Sequence, residues 1–109
     1  RLTRNKETSI YQWNAVTMAG LHVASVRVRG HVSPGNVVNL TLGWLDEAQK
    51  RVGLEVQRLP DGEWPEWVTL RVARVLPPEA RWVGVSVRLQ NQLPGDWVEV
   101  RDFSLVARE

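Results

Sequence analysis

The sequence predicts an all-β protein: an antiparallel β-sandwich of seven to eight strands, packed as one domain over residues 1–109. Three observations carry that prediction. Apolar and polar residues alternate with period two along most of the chain, the pattern of strands with one buried face. Clusters of Pro, Gly, Asn and Asp break the alternation at intervals of roughly 8–15 residues, the spacing of strands joined by turns. Helical spacing is almost absent. Leu45 to Val52 has the length for a helical turn, but its polar centre, Asp46 to Lys50, reads better as a hairpin loop. Valine, β-branched and suited to a pleated surface, is the commonest residue, whereas Ile10 and Phe103 are the sole isoleucine and phenylalanine.

The elements follow in order. Residues 1–7 are polar and read as loosely ordered; strand one follows from about Thr8 to Val16. Strand two runs from about Leu21 to His31, with Ala24, Val26 and Val28 on one face and Ser25, Arg27 and Arg29 on the other. Ser33-Pro34-Gly35-Asn36 is a turn. Strand three, Val37 to Leu45, turns Val38, Leu40, Leu42 and Trp44 inward. Strand four spans about Arg51 to Arg58, and Pro60-Asp61-Gly62 reverses the chain. Strand five, Glu66 to Val75, points Val68, Leu70 and Val72 inward and stops at Pro77-Pro78. Strand six, Ala80 to Gln90, buries Val83, Val85, Val87 and Leu89. Leu93-Pro94-Gly95-Asp96 turns again into strand seven, Trp97 to Ala107. There Val98 and Val100 are out of phase with Phe103 and Leu105. A one-residue bulge near Arg101-Asp102 would bring all four into the core.

Composition excludes several classes of function. Cysteine is absent, which removes disulfides, thiolate catalysis and Cys-ligated metals. No apolar run approaches the ~18 residues of a membrane-spanning helix, so a membrane partner is not expected. Fourteen basic residues against twelve acidic ones leave a net charge of +2. The acids are interspersed with the bases, so no basic stripe for nucleic acid stands out. No signal peptide is visible, and the chain opens at Arg1, which reads as a piece of a longer protein.

Few residues carry chemistry. His22 and His31 point to opposite faces of strand two, without a carboxylate or serine at a catalytic spacing, and His22 is in phase with the core. No nucleophile elbow, phosphate loop or paired metal histidines occur. Catalysis is therefore not expected. Six tryptophans dominate instead. Trp44 continues an apolar face and belongs to the core. Trp67 and Trp97 begin strands and are placed to lid the sandwich ends, Trp64 falls in a loop, and Trp13 shares a face of strand one with Tyr11. Trp82 lies on the outward face of strand six beside Gly84, Ser86, Arg88 and Gln90. An exposed indole there can stack on the apolar face of a sugar ring, with Arg88, Gln90 and Asn91 bonding hydroxyls. It can equally anchor a protein interface or lie under a loop. Asp102, in the bulged strand, is a candidate Ca²⁺ ligand or half of a salt bridge. Asn39-Leu40-Thr41 matches a glycosylation sequon but lies within a strand.

The order of these features resembles the carbohydrate-binding-module type of jelly roll in the galactose-binding-like superfamily. The similarity rests on Gln12, Gly20, Ser25 and Arg29-Gly30 in the first strands, and on Asp46 and Lys50 in the hairpin. It rests further on Trp67, Pro77 and Ala80 around the fifth strand, and on Asp102, Ser104 and Leu105 in the last. It covers residues 9–106. Gln49 stands where that hairpin usually has Gly, and His22 where an aromatic is common. The Asn-Gly-Phe-Glu opening that helps hold a structural Ca²⁺ in the family is absent here. The resemblance implies a non-catalytic module binding a poly- or oligosaccharide. Its alternative is a structural domain of a phage virion or multidomain surface protein that engages other protein chains. Either implies an extracellular, cell-surface or virion setting.

Overall fold

The computed structural model describes residues 8–16, 20–90 and 93–108; residues 1–7, expected to be loosely ordered, lie outside this range, as does Asn91. Seven strands follow one another: β1 (Thr8–Ala15), β2 (Gly20–Val32), β3 (Val37–Leu45), β4 (Arg51–Arg58), β5 (Gly62–Leu76), β6 (Trp82–Gln90) and β7 (Trp97–Arg108). They form two antiparallel sheets, β1-β6-β3-β4 and β5-β2-β7. Apart from the β3–β4 hairpin, each connection crosses from one sheet to the other, which makes the sandwich a jelly roll.

The alternation in the sequence becomes the core. Ala24, Val26 and Val28 meet Val38, Leu40, Leu42 and Trp44 from the facing sheet, together with Leu70, Val72, Val83, Val85, Val87, Leu89 and Val98. Full burial of each large aliphatic side chain contributes roughly 1.5–3 kcal/mol before the entropy of ordering is subtracted. The predicted bulge in β7 is present. Ser25 pairs with Ser104 but Arg27 pairs with Arg101, so two residues of β7 oppose one of β2, and Asp102 has φ 59°. The bulge rephases Leu105 onto the core beside Val98 and Val100. Phe103, at the bulge itself, remains 36% exposed and does not join them.

β5 begins four residues earlier than the sequence pattern indicates, so Trp64 lies in a strand rather than a loop. Pro65 disguised this. Proline is tolerated on an edge strand, and β5 is at the edge of its sheet, with its register against β2 shifting between Val28 and Gly30. Trp64 packs on the core and donates Nε1–H to the Pro60 carbonyl at 2.8 Å. Trp67 does not lid the sandwich end. It stands on the outer face of the three-stranded sheet with the Arg29 and Arg101 guanidiniums 4.6 and 4.0 Å from its ring centre.

Two turns of like sequence close one end of the sandwich. Ser33-Pro34-Gly35-Asn36 and Leu93-Pro94-Gly95-Asp96 each place glycine at a left-handed φ, 87° and 92°. Proline before such a glycine is the type II signature. Each turn is closed by a backbone bond, Asn36 N–H to Ser33 O and Asp96 N–H to Leu93 O. Asp96 joins the two, accepting from Ser33 Oγ at 2.5 Å, Asn36 Nδ2 at 2.7 Å and the Leu93 N–H at 2.9 Å. Burial pushes the Asp96 carboxyl up, but those hydrogen bonds and the nearby His31 together outweigh it and hold it below its ordinary value.

Candidate functional site

Outward positions of the four-stranded sheet follow from its register. Across β1, β6, β3 and β4, one row reads Trp13, Gly84, Gly43, Leu54, and the next Tyr11, Ser86, Thr41, Val56. The two central strands carry small side chains and the two edge strands carry large ones, so the face is a trough with an aromatic and an aliphatic wall. Trp13 leans across the floor. A Cβ added to Gly84 would sit 2.5 Å from the ring carbons Cδ2 and Cε3 of Trp13, and one on Gly43 would be 3.8 Å from Cη2. The indole therefore lies directly on the glycine backbone, with its other face outward. It is 40% exposed, Tyr11 68% and Trp82 36%.

Beside this platform opens a cleft of about 290 Å³ lined by Trp13, Leu45, Gln49 and Trp82. Gln49 reaches it from the β3–β4 hairpin, where its φ of 63° fills the left-handed position that usually takes glycine. The hairpin is held by Asp46, whose N–H donates to the Lys50 carbonyl and whose Oδ1 accepts the Lys50 N–H. A smaller adjoining hollow is lined by Tyr11, Trp13, Thr41, Arg51, Gly84 and Ser86 among others. The trough thus offers flat apolar rings, hydroxyls, an amide and a guanidinium within one surface.

Of the residues singled out in the sequence, Trp82 lines this cleft. Arg88 and Gln90 share its face of β6 but lie six and eight residues further along the strand, so Arg88 is about 20 Å away. Each is already engaged in an interaction of its own. Asn39 is in register between Arg58 and Arg88, half-buried, with no hydrogen-bond partner for Oδ1 among the described residues. Trp13, Tyr11, Gln49 and Arg51 are the site residues that sequence reasoning did not assemble.

Asp102 sits elsewhere, on the exposed bulge of β7, 3.7 Å from Arg27 and 3.5 Å from Arg101. Two guanidiniums around one carboxylate suit an ion pair and oppose a cation, so the surroundings of Asp102 do not fit Ca²⁺. No group of three or more metal-ligating side chains occurs among the described residues. His22 is buried and donates Nδ1–H to the Gly20 carbonyl at 3.0 Å, as a core histidine does. His31 lies against Glu63 and 3.7 Å from Asp96 at the joined turns. No described helix is long and apolar enough to cross a membrane.

No protein-family model matches this sequence, and no curated protein is significantly similar to it. Among solved structures, the fold is similar to the enzymatically active domain of tailspike protein 4 from bacteriophage CBA120, with a TM-score of 0.74 at 10% sequence identity. The match covers 94% of this chain and 14% of that one. The likeness is one of fold.

Proposed function

We propose that this domain is a non-catalytic binding module that holds an oligosaccharide in the trough of its four-stranded sheet. The observation that carries the reading is Trp13 laid on Gly84 beside Trp82, around an open cleft of about 290 Å³. A pyranose has an apolar C–H face and a rim of hydroxyls. Two indoles supply the stacking surface, and Gln49, Thr41 and Ser86 supply hydrogen-bond partners. Trp82 keeps the role expected from the sequence; Arg88 and Gln90 become a more distant extension of the trough. In keeping with the carbohydrate-binding-module resemblance, the setting we infer is a virion, cell surface or extracellular protein, and no resident metal is required.

The test is a glycan array with wild type, Trp82→Ala and Trp13→Ala, each checked for native folding by near-UV circular dichroism. Selective binding lost in both folded variants supports the module. Binding that survives both substitutions overturns it, as does release of reducing ends from the bound glycan, which would make the domain an enzyme.

A second reading is an assembly domain of a phage virion, favoured by the tailspike neighbour, of which this chain matches one part. In that case Trp13, Trp82, Leu54 and Val56 face another protein chain. A concentration-dependent mass in light scattering, abolished by Trp82→Ala, supports it over the first.

A further inference from the structure

We infer that the ligand of this trough is an anionic oligosaccharide, one carrying carboxylates, with Arg51 as the residue that reads the charge; the inference rests on the saccharide reading above. The argument is the sign of the charge on this face. The described outward positions of β1, β6, β3 and β4 carry three ionisable cations, Arg51, Arg58 and Arg88, and no Asp or Glu. Yet the chain as a whole is nearly balanced, with fourteen basic and twelve acidic residues. The outer face of the other sheet shows that balance: Arg29 pairs with Glu99, and Arg27 and Arg101 with Asp102. The carboxylate of β4, Glu55, points the other way and pairs with Arg74.

The three arginines differ in what they are free to do. Arg58 donates Nη2–H to the Asn36 carbonyl at 2.8 Å, and Arg88 has an interaction of its own. Arg51 has no ion pair or hydrogen bond from its side chain among the described residues, and it lines the hollow beside Tyr11, Trp13 and Ser86. An unpaired guanidinium beside an indole platform is placed to make a bidentate contact with a sugar carboxylate while the ring stacks. Hydroxyls of a neutral sugar can also accept from the fork, but only a carboxylate adds the opposite charge to a planar pair of acceptors. Glu47 and Glu55, each four residues from Arg51, are the acids nearest in sequence; Glu55 points away from the trough, and Asp46, one residue further off in the hairpin, already accepts its own loop's N–H.

The experiment uses an array of matched pairs: uronate oligosaccharides beside their methyl esters, and sialylated glycans beside their desialylated forms. Wild type is compared with Arg51→Gln, Arg51→Lys and a control of equal charge change on the other sheet, Arg71→Gln. Binding is expected for carboxylate members only. Arg51→Gln should weaken it about tenfold or more, the loss of a charge-assisted hydrogen bond. Arg51→Lys should fall between the two, Arg71→Gln should leave binding unchanged, and added salt should weaken it through screening. Equal binding of esterified and free members, or binding indifferent to Arg51→Gln, overturns the anionic assignment while the tryptophan module stands. Binding of no glycan by a folded domain overturns the module and this inference with it.

Discussion

Asp96→Ala tests the account of how the two turns are held. The Asp96 side chain has no exposed surface and accepts three hydrogen bonds. Removing it takes a charged acceptor from buried Asn36 Nδ2, at about 1–3 kcal/mol. Ser33 and Leu93 are only part-buried, so water replaces most of what they lose, at roughly 0.5–1 kcal/mol together. The sum is about 3 kcal/mol, a large share of the ~5–15 kcal/mol that holds a domain of this size. At ~4 °C per kcal/mol the melting temperature falls by about 12 °C. The pH dependence has a definite sign. The folded carboxyl titrates below its ordinary value of 3.8, so its stabilisation is complete above that value and is lost as pH falls through the lower, folded one. Thermal melts of wild type and variant from neutral to acid pH should therefore show the widest gap near neutrality and a narrowing gap in acid. A variant that melts with wild type at neutral pH, or a gap that stays constant into acid, refutes the reasoning.

Other outcomes follow from the trough. Gly84→Ala drives a methyl into the Trp13 ring, which must lift off the sheet. Because the ring can swing into solvent, the stability loss should sit near the low end of the ~1–3 kcal/mol of overpacking, while the proposed glycan binding and the near-UV signal of Trp13 change sharply. Gln49→Gly relieves a left-handed φ of 63°. That relief, about 1–2 kcal/mol, exceeds the chain entropy that glycine adds, so denaturant melts should show a gain of up to about 1 kcal/mol. The same substitution removes an amide from the cleft, and calorimetry should show weaker binding of the proposed glycan by a more stable protein.

Much of the sandwich is visible in one-dimensional pattern, because each strand's burial depends on its own alternation. Val38, Leu40, Leu42 and Trp44 are buried as their period demands. The bulge at Arg101-Asp102 shows because the phase of the apolar residues changes across it. The start of β5 does not show, since Pro65 signals a break that an edge strand absorbs. The site is hidden for a different reason. Alternation puts Trp13 with Tyr11 on one face of β1 and Trp82 outward on β6, but that Trp13 lies on Gly84 depends on how strands some seventy residues apart come into register. A glycine in a strand signals a close approach without naming what approaches. Arg88 and Gln90 were drawn toward Trp82 by proximity in sequence, and along an extended strand that proximity is distance.

The edge strand β4 adds an argument for function that its own pattern contradicts. Its apolar residues, Leu54 and Val56, face outward at 42% and 45% exposure, while Glu55 and Gln57 face the interior side. A one-residue slip would exchange the two sets. The phase is set by Val52, bulged between the pairs Trp44–Gly53 and Leu45–Arg51. It is reinforced from the other sheet: Arg74 pairs with Glu55, and the Arg71 N–H donates to Gln57 Oε1 at 2.6 Å. Stability alone would favour burying both aliphatic side chains, at about 1.5–3 kcal/mol each. Instead they form the wall opposite Tyr11 and Trp13, across a floor of Gly84, Gly43, Ser86 and Thr41. An isolated exposed valine needs no explanation, but apolar walls on both sides of a small-residue floor form a contiguous surface, and such a surface suits the contact proposed above. The same register that exposes Leu54 and Val56 keeps Glu55 off the trough, so one bulge accounts for both the apolar wall and the absence of β4's own acid from the described face that carries Arg51.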